Sequence, residues 1–138
     1  MKTNHNLITP HFTWQEFACK DGTPVPEHLK YNARMLAGCL EGLRLHFQLP
    51  IIINSAYRTE SYNKKVGGAS QSQHLACNAV DITIKGVLPI VVFNTIRSFL
   101  KKGLLPAGCV ILYDTFVHYD LRGYIMELDY RKSKRKDE

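Results

Sequence analysis

No stretch of this sequence stays apolar for anything near the roughly 18 residues that a membrane-spanning helix needs. The first residues, Met-Lys-Thr-Asn-His-Asn, carry one lysine and no apolar h-region, so no signal peptide is expected. Cysteine is sparse: Cys19, Cys39, Cys77 and Cys109 stand far apart and form no C-x-x-C pair. Without a secretion signal, that spacing points to reduced thiols and not to a disulfide framework. Repeats, linkers and low-complexity segments are missing too, which argues against fibrous or disordered classes. Acidic residues are in deficit, 12 against 18 Lys and Arg, for a formal charge of +6.

What remains is ordinary globular material: 138 residues, 45% hydrophobic and 22% charged. A chain of that length makes one domain and buries about two-thirds of its unfolded surface, enough for a core without staples. The positive excess is partly local, since Arg131-Lys132-Ser133-Lys134-Arg135-Lys136 holds five cations in six residues. A domain over 1–130 and a basic, disordered tail over 131–138 are therefore expected. The tail also raises a nucleic-acid-binding reading, but no basic helix or aromatic platform accompanies it.

Along the chain, 10–26 reads as loop, with Pro10, Asp21-Gly22, Pro24 and Pro26, pinned by Phe12, Trp14 and Phe17. Leu29, Ala33, Leu36, Leu40, Leu43 and Phe47 then step by four or three, the spacing of one buried helical stripe between Pro26 and Pro50. Ile51-Ile52-Ile53 reads as a short strand, and 59–66 as a polar helix ended by Gly67-Gly68. A small polar loop leads to a strand over 79–85, where Val80, Ile82 and Ile84 point one way and Ala79, Asp81 and Thr83 the other. A second amphipathic helix is expected over about 88–102, stopped by Gly103, and two strands near 109–113 and 116–121 close the chain. Helices and strands mix without a βαβ rhythm, so the reading is a compact α+β domain with a mainly antiparallel sheet packed against helices.

Two of these strands break their apolar rule. Asp81 interrupts one, and His118 with Asp120 interrupts another. A carboxylate in a half-buried strand is costly unless it is paired, hydrogen-bonded or bound to metal. His74 lies in the loop leading to Asp81, with six residues between them, and a folded-back loop brings His74, Asp81 and His118 together. Two imidazoles and a carboxylate suit one zinc ion with an open fourth position, where a water's pKa falls to roughly 7. The other reading of such a histidine is a hydrogen-bonded core residue, and spacing alone does not separate the two.

Four stretches in order add a resemblance. Ser72-Gln73-His74-Leu75-Ala76-Cys77-Asn78-Ala79-Val80-Asp81 resembles the S-x-H-x-x-G-x-A-x-D motif of the zinc D-Ala-D-Ala carboxypeptidase family. That family includes phage L-Ala-D-Glu endopeptidases and shares its fold with the hedgehog signalling domain. Asn54-Ser55-Ala56-Tyr57-Arg58-Thr59 is similar to its S-G-Y-R-T, and Tyr62-Asn63 through Val66-Gly67-Gly68-Ala69 to the segment that follows. Phe116-Val117-His118-Tyr119-Asp120-Leu121-Arg122-Gly123 resembles the closing F-x-H-x-D-x-R-G, and Phe12-Thr13-Trp14-Gln15-Glu16-Phe17 fits the small single-domain branch.

The resemblance implies a zinc peptidase acting on peptidoglycan stem peptides, with His74, Asp81 and His118 as ligands. It implies Arg58 as the cation that anchors substrate or stabilises the oxyanion, and Ser72 as a substrate hydrogen-bonder, although a loop serine equally caps a turn. Three positions depart from the pattern: Ala56 and Cys77 stand at motif glycines, and Thr115 where many relatives carry the general-base Glu. Cys77 puts in question a loop that requires positive φ; its sulfur is either a fourth ligand or a core group. With Glu missing, Asp120 and Asp114 are the acids left; Asp120, nearer His118, is preferred and either polarises water or orients a ligand, while Asp114 is otherwise a turn residue. A monomer is expected, made in the cytoplasm and reaching the wall after holin-type release. The rival of the same fold is a zinc-containing wall-binding module that does not cut.

Overall fold

The protein is described from a computed structural model, over residues 5–135. Its long helix follows from the apolar stripe. A 3-10 turn over Glu27–Leu29 begins immediately after Pro26 and runs into α2, Lys30–Phe47, whose Ala33, Leu36, Ala37, Leu40 and Leu43 are buried. The helix ends before Pro50 can stop it: Gln48 turns left-handed at φ 57° and its N–H donates to the Arg44 carbonyl.

The segment before this helix is more ordered than its prolines imply. Strands β1 (Leu7–Thr9) and β2 (Phe12–Thr13) pair antiparallel, and α1 follows over Trp14–Phe17. Thr13 starts that short helix as a reciprocal cap. Its hydroxyl accepts from the Glu16 N–H, while the Glu16 carboxylate accepts from the Thr13 N–H. Thr-x-x-Glu is a signal written in the sequence, so 10–26 is corrected from plain loop to hairpin plus helix.

The main sheet holds β3 (Ile51–Ser55), β4 (Ala79–Ile84), β5 (Cys109–Leu112), β6 (Val117–Asp120) and β7 (Met126–Asp129), in the order β3-β4-β6-β5-β7. All pairings are antiparallel except β5 with β7. Strand β7 has no apolar alternation of its own, and its ladder comes from a distant partner. Between β3 and β4 lies α3, Glu60–Lys65, and between β4 and β5 lies α4, Pro89–Lys101, which packs on the sheet through Val92, Phe93, Ile96 and Leu100.

Register is the feature that matters for chemistry. Ser55 stands opposite Asp81, and Asp81 opposite His118, so one row crosses three strands. A bulge between Ile53 and Ser55 skips Asn54 and turns Ser55 toward that row. A slip of one residue would send the whole row to the other face. On that other face Val80, Ile82 and Ile84 join the core with Tyr119, as their alternation predicts.

The basic end differs from a tail in its first residues. Lys132–Arg135 forms one helical turn, α5, and the Asp114 carboxylate accepts from the Lys132 and Ser133 N–H groups and from the Ser133 hydroxyl. The rest of the expected tail, 136–138, lies outside the described residues. All four cysteines are free thiols.

Candidate metal centre

The row on the sheet supplies Asp81 and His118, and a 3-10 turn over Gln73–Ala76 brings in His74. All three are buried, and one ligand atom from each lies within 4.8 Å of the others. His74 Nε2 is 3.3 Å from Asp81 Oδ1, and His118 Nδ1 is 3.0 Å from the same oxygen.

The far nitrogens explain why this arrangement calls for a cation. His74 Nδ1 sits 2.7 Å from the Ala56 carbonyl oxygen, which can only accept, so that nitrogen carries the ring proton. His118 Nε2 is 2.7 Å from Asp120 Oδ2, a carboxylate oxygen with the same demand. In the neutral rings both nitrogens turned toward Asp81 are therefore bare. Two lone pairs facing a carboxylate repel unless a proton or a metal ion lies among them. The donor set, two imidazole nitrogens and one carboxylate oxygen, fits zinc. The charges around His118 act in the same sense: burial pushes its imidazolium down, but hydrogen bonds to Asp120 and Asp81 win and raise its pKa. For Asp81, burial pushes the carboxyl up, yet pairing with His118 and His74, which requires a proton on the facing nitrogens, holds it well below the usual range.

Asp120 is placed behind this cluster. It is fully buried, and its Oδ1 accepts from the backbone N–H groups of Cys109 and Arg122. Its Oδ2 takes His118 Nε2 and, at 2.7 Å, Arg122 Nη2. Gly108 allows this close packing, since a Cβ there would collide with the Asp120 carbonyl oxygen. A carboxylate so enclosed is placed to orient its histidine, one of the two roles open to Asp120 in the sequence. Asp114, the other acid considered, is exposed and spends its carboxylate on the start of α5.

Arg58 is held on three sides. Its Nε donates to Ser55 Oγ at 3.1 Å, Nη1 to Asn63 Oδ1 at 3.2 Å, and Nη2 to Asp81 Oδ2 at 3.2 Å. Asp81 thus gives one oxygen to the guanidinium and keeps the other for the histidines. Asn63, buried in α3, also donates from Nδ2 to the Ala69 carbonyl, tying the clamp to the loop that carries His74. Gly68 closes over it: a Cβ there would collide with Asn63 Oδ1 and come within 3.0 Å of Arg58 Nη1. Gly68→Ala is accordingly expected to cost about 1–3 kcal/mol by overpacking. Urea unfolding of the two proteins side by side checks this, and equal midpoints would mean that the clamp gives way freely.

The remaining residues singled out by the sequence are also located. Ser72 accepts from the His74 N–H at 3.2 Å, so it caps the turn that presents the ligand. Cys77 is left-handed at φ 52°, the conformation for which the motif's glycine is suited, and its side chain belongs to the core cluster. Burial pushes its thiol up to about 12, and the group of possible ligands around Asp81 is made by His74 and His118 without its sulfur. Beside the cluster opens a cleft of about 210 Å³ whose walls include Lys20, Asn54, Arg58, Tyr62, Asp81 and Phe116. Lys20, Asn63 and Phe116 had no assigned role in the sequence reading. Asn63 and Phe116 had a signal there, as parts of the motif segment after Arg58 and of the closing motif, and Lys20 had none.

A family model described as Peptidase M15 matches residues 10–120, a span that takes in β2, the Arg58 clamp and all three ligand candidates. Among curated proteins none matches the chain.

Proposed function

The chain belongs to the peptidase M15 family, and from that premise we propose that it hydrolyses an amide bond in peptidoglycan stem peptides, with zinc held by His74, Asp81 and His118. The observation that carries the reading is the convergence of two bare imidazole nitrogens on one carboxylate oxygen. Zinc, when bound, supplies a Lewis acid that polarises the scissile carbonyl and acidifies water.

The chain's own residues do the rest. Ala56 and Asp120 fix the two imidazole tautomers through their outer nitrogens. Arg58 orients Asp81 and lies on the cleft wall, where its further N–H donors face charge developing on the substrate. Tyr62 and Asn54 offer polar contacts to an extended peptide, and Phe116 an apolar one. Action on the wall follows release from the cell by a holin-type partner.

Metal analysis with muropeptide mass spectrometry, on wild type beside His118→Ala, tests this directly. About one zinc per chain and newly cleaved stem peptides are expected from wild type. Neither is expected from the variant, and a chelator is expected to stop the cleavage. One observation favours a second reading, the wall-binding module that does not cut. Among the described residues lining the cleft, Asp81 is the sole carboxylate, because Asp114 and Asp120 are engaged elsewhere. That reading expects sacculus binding that survives His74→Ala, with no hydrolysis to lose.

A further inference from the structure

The two cations on the cleft wall have different fates. Arg58 already pairs its charge with Asp81 and is held by Ser55 and Asn63, so what it keeps for a substrate is its remaining N–H donors, and its side chain is only 15% exposed. Lys20 is exposed on the same wall, and no acceptor among the described residues holds its ammonium.

The turn that presents Lys20 is nevertheless firmly built. The Cys19 N–H donates to the Thr23 carbonyl, and the Gly22 N–H to that of Cys19. The neighbouring acid forms no ion pair with Lys20: the Asp21 carboxylate accepts from the Thr23 N–H and from the Thr59 hydroxyl, each at 2.9 Å. Thr59 follows Arg58 directly, so the loop carrying Lys20 is tied to the clamp that orients Asp81. Phe116 and Val66 supply apolar lining to the same cleft, which strengthens an ion pair formed within it.

We propose that Lys20 is a specificity-determining residue: its ammonium pairs with a free carboxylate that the peptide substrate carries close to the scissile amide. This assignment rests on the peptidase reading above and moves the anchoring role away from Arg58, where the resemblance puts it. Arg58 then serves Asp81 and the reacting carbonyl, while Lys20 reads the charge of the substrate.

The test uses two pairs of stem-type peptides, each pair identical except for a C-terminal carboxylate or carboxamide. One pair is cleavable; the other carries a ketomethylene group in place of the scissile amide and reports binding alone. With zinc-loaded wild type, the acid of the second pair is expected to bind about five- to tenfold more tightly than the amide. Lys20→Met is expected to collapse that ratio toward one, and Lys20→Arg to keep it. A ratio unaltered by Lys20→Met overturns the assignment, and so does equal binding of acid and amide to wild type. Turnover of the cleavable pair separates the two claims. Hydrolysis with a Lys20-independent ratio sinks only the Lys20 role. A Lys20-dependent ratio without hydrolysis keeps the pairing of Lys20 with a peptide carboxylate but overturns its role in substrate choice together with the peptidase reading.

Discussion

Replacing Asp81 by asparagine is expected to abolish zinc binding and hydrolysis while leaving the protein folded. The isosteric amide keeps an oxygen for Arg58 Nη2, and it turns its NH2 toward the two bare imidazole nitrogens. In the metal-free protein that exchange replaces a lone-pair conflict with two hydrogen bonds, which offsets the counter-charge that Arg58 loses, so the protein still folds. Toward a cation the same amide is ruinous, because it removes the anion and points hydrogens at the position the metal requires. Loss of an outer-shell partner already lowers metal affinity about 10–100-fold, so losing the ligand itself should exceed about a hundredfold. A competition titration with a chromogenic zinc chelator measures this. Thermal unfolding gives a second readout: zinc at a hundred times its Kd adds about 2.7 kcal/mol to wild type, and a chelator removes it. Asp81→Asn should unfold at one temperature with or without chelator. Retained zinc in the variant would show that the cluster is not where the metal sits.

That prediction draws on residues whose importance was legible in the sequence, and the reason is physical. A carboxylate and a histidine on opposite apolar strands violate the burial rule, and a violated rule marks a site. Their contact depends on register, which two-residue alternation constrains; Asp81 meets His118 because Val80 and Ile82 must face the core. Cys77 was legible in the same way, as a side chain at a position where the motif's glycine implies positive φ. Strand β7 was not legible, since its order comes from pairing with β5 and from the ion pair of Glu127 with Arg97 on α4. Lys20 was invisible for a related reason: only the tertiary fold brings a turn near the N-terminus to the wall beside Asp81. Asp120 lies between these cases. Its spacing from His118 puts both on one face of β6, but whether it serves substrate or histidine is decided by donors from Cys109 and Arg122.

Asp120→Asn is therefore expected to lower zinc affinity about 10–100-fold and to regain turnover at saturating zinc. The direction follows from the kind of donor at each oxygen. Oδ1 faces two backbone N–H groups that cannot move away, those of Cys109 and Arg122, whereas Oδ2 meets only side chains, the Arg122 guanidinium and His118, so the amide keeps its oxygen at Oδ1 and gives up the Arg122 Nη2 bond. Its NH2 then takes the Oδ2 position and presents a hydrogen to His118 Nε2. His118 responds by adopting the other tautomer, which places a proton on Nδ1, the nitrogen that faces Asp81. Zinc must displace that proton before it binds, so the penalty falls on affinity. Asp120→Ala is harsher, about 3–5 kcal/mol of stability, because Arg122 and His118 lose their buried counter-charge. Acid should unmask the same contribution in wild type. Burial pushes the Asp120 carboxyl up, but the bonds from His118, Arg122 and Cys109 hold its folded pKa well below the unfolded value near ~3.9. Its stabilisation is thus full above about pH 5 and is lost as pH falls through and below the ordinary carboxylate range. A proton-carrying Asp120 would behave differently: turnover of the asparagine variant would stay about 10²–10⁴-fold down however much zinc was added. The zinc dependence of the rate therefore decides between a group that holds His118 in place and one that handles the proton of the reaction.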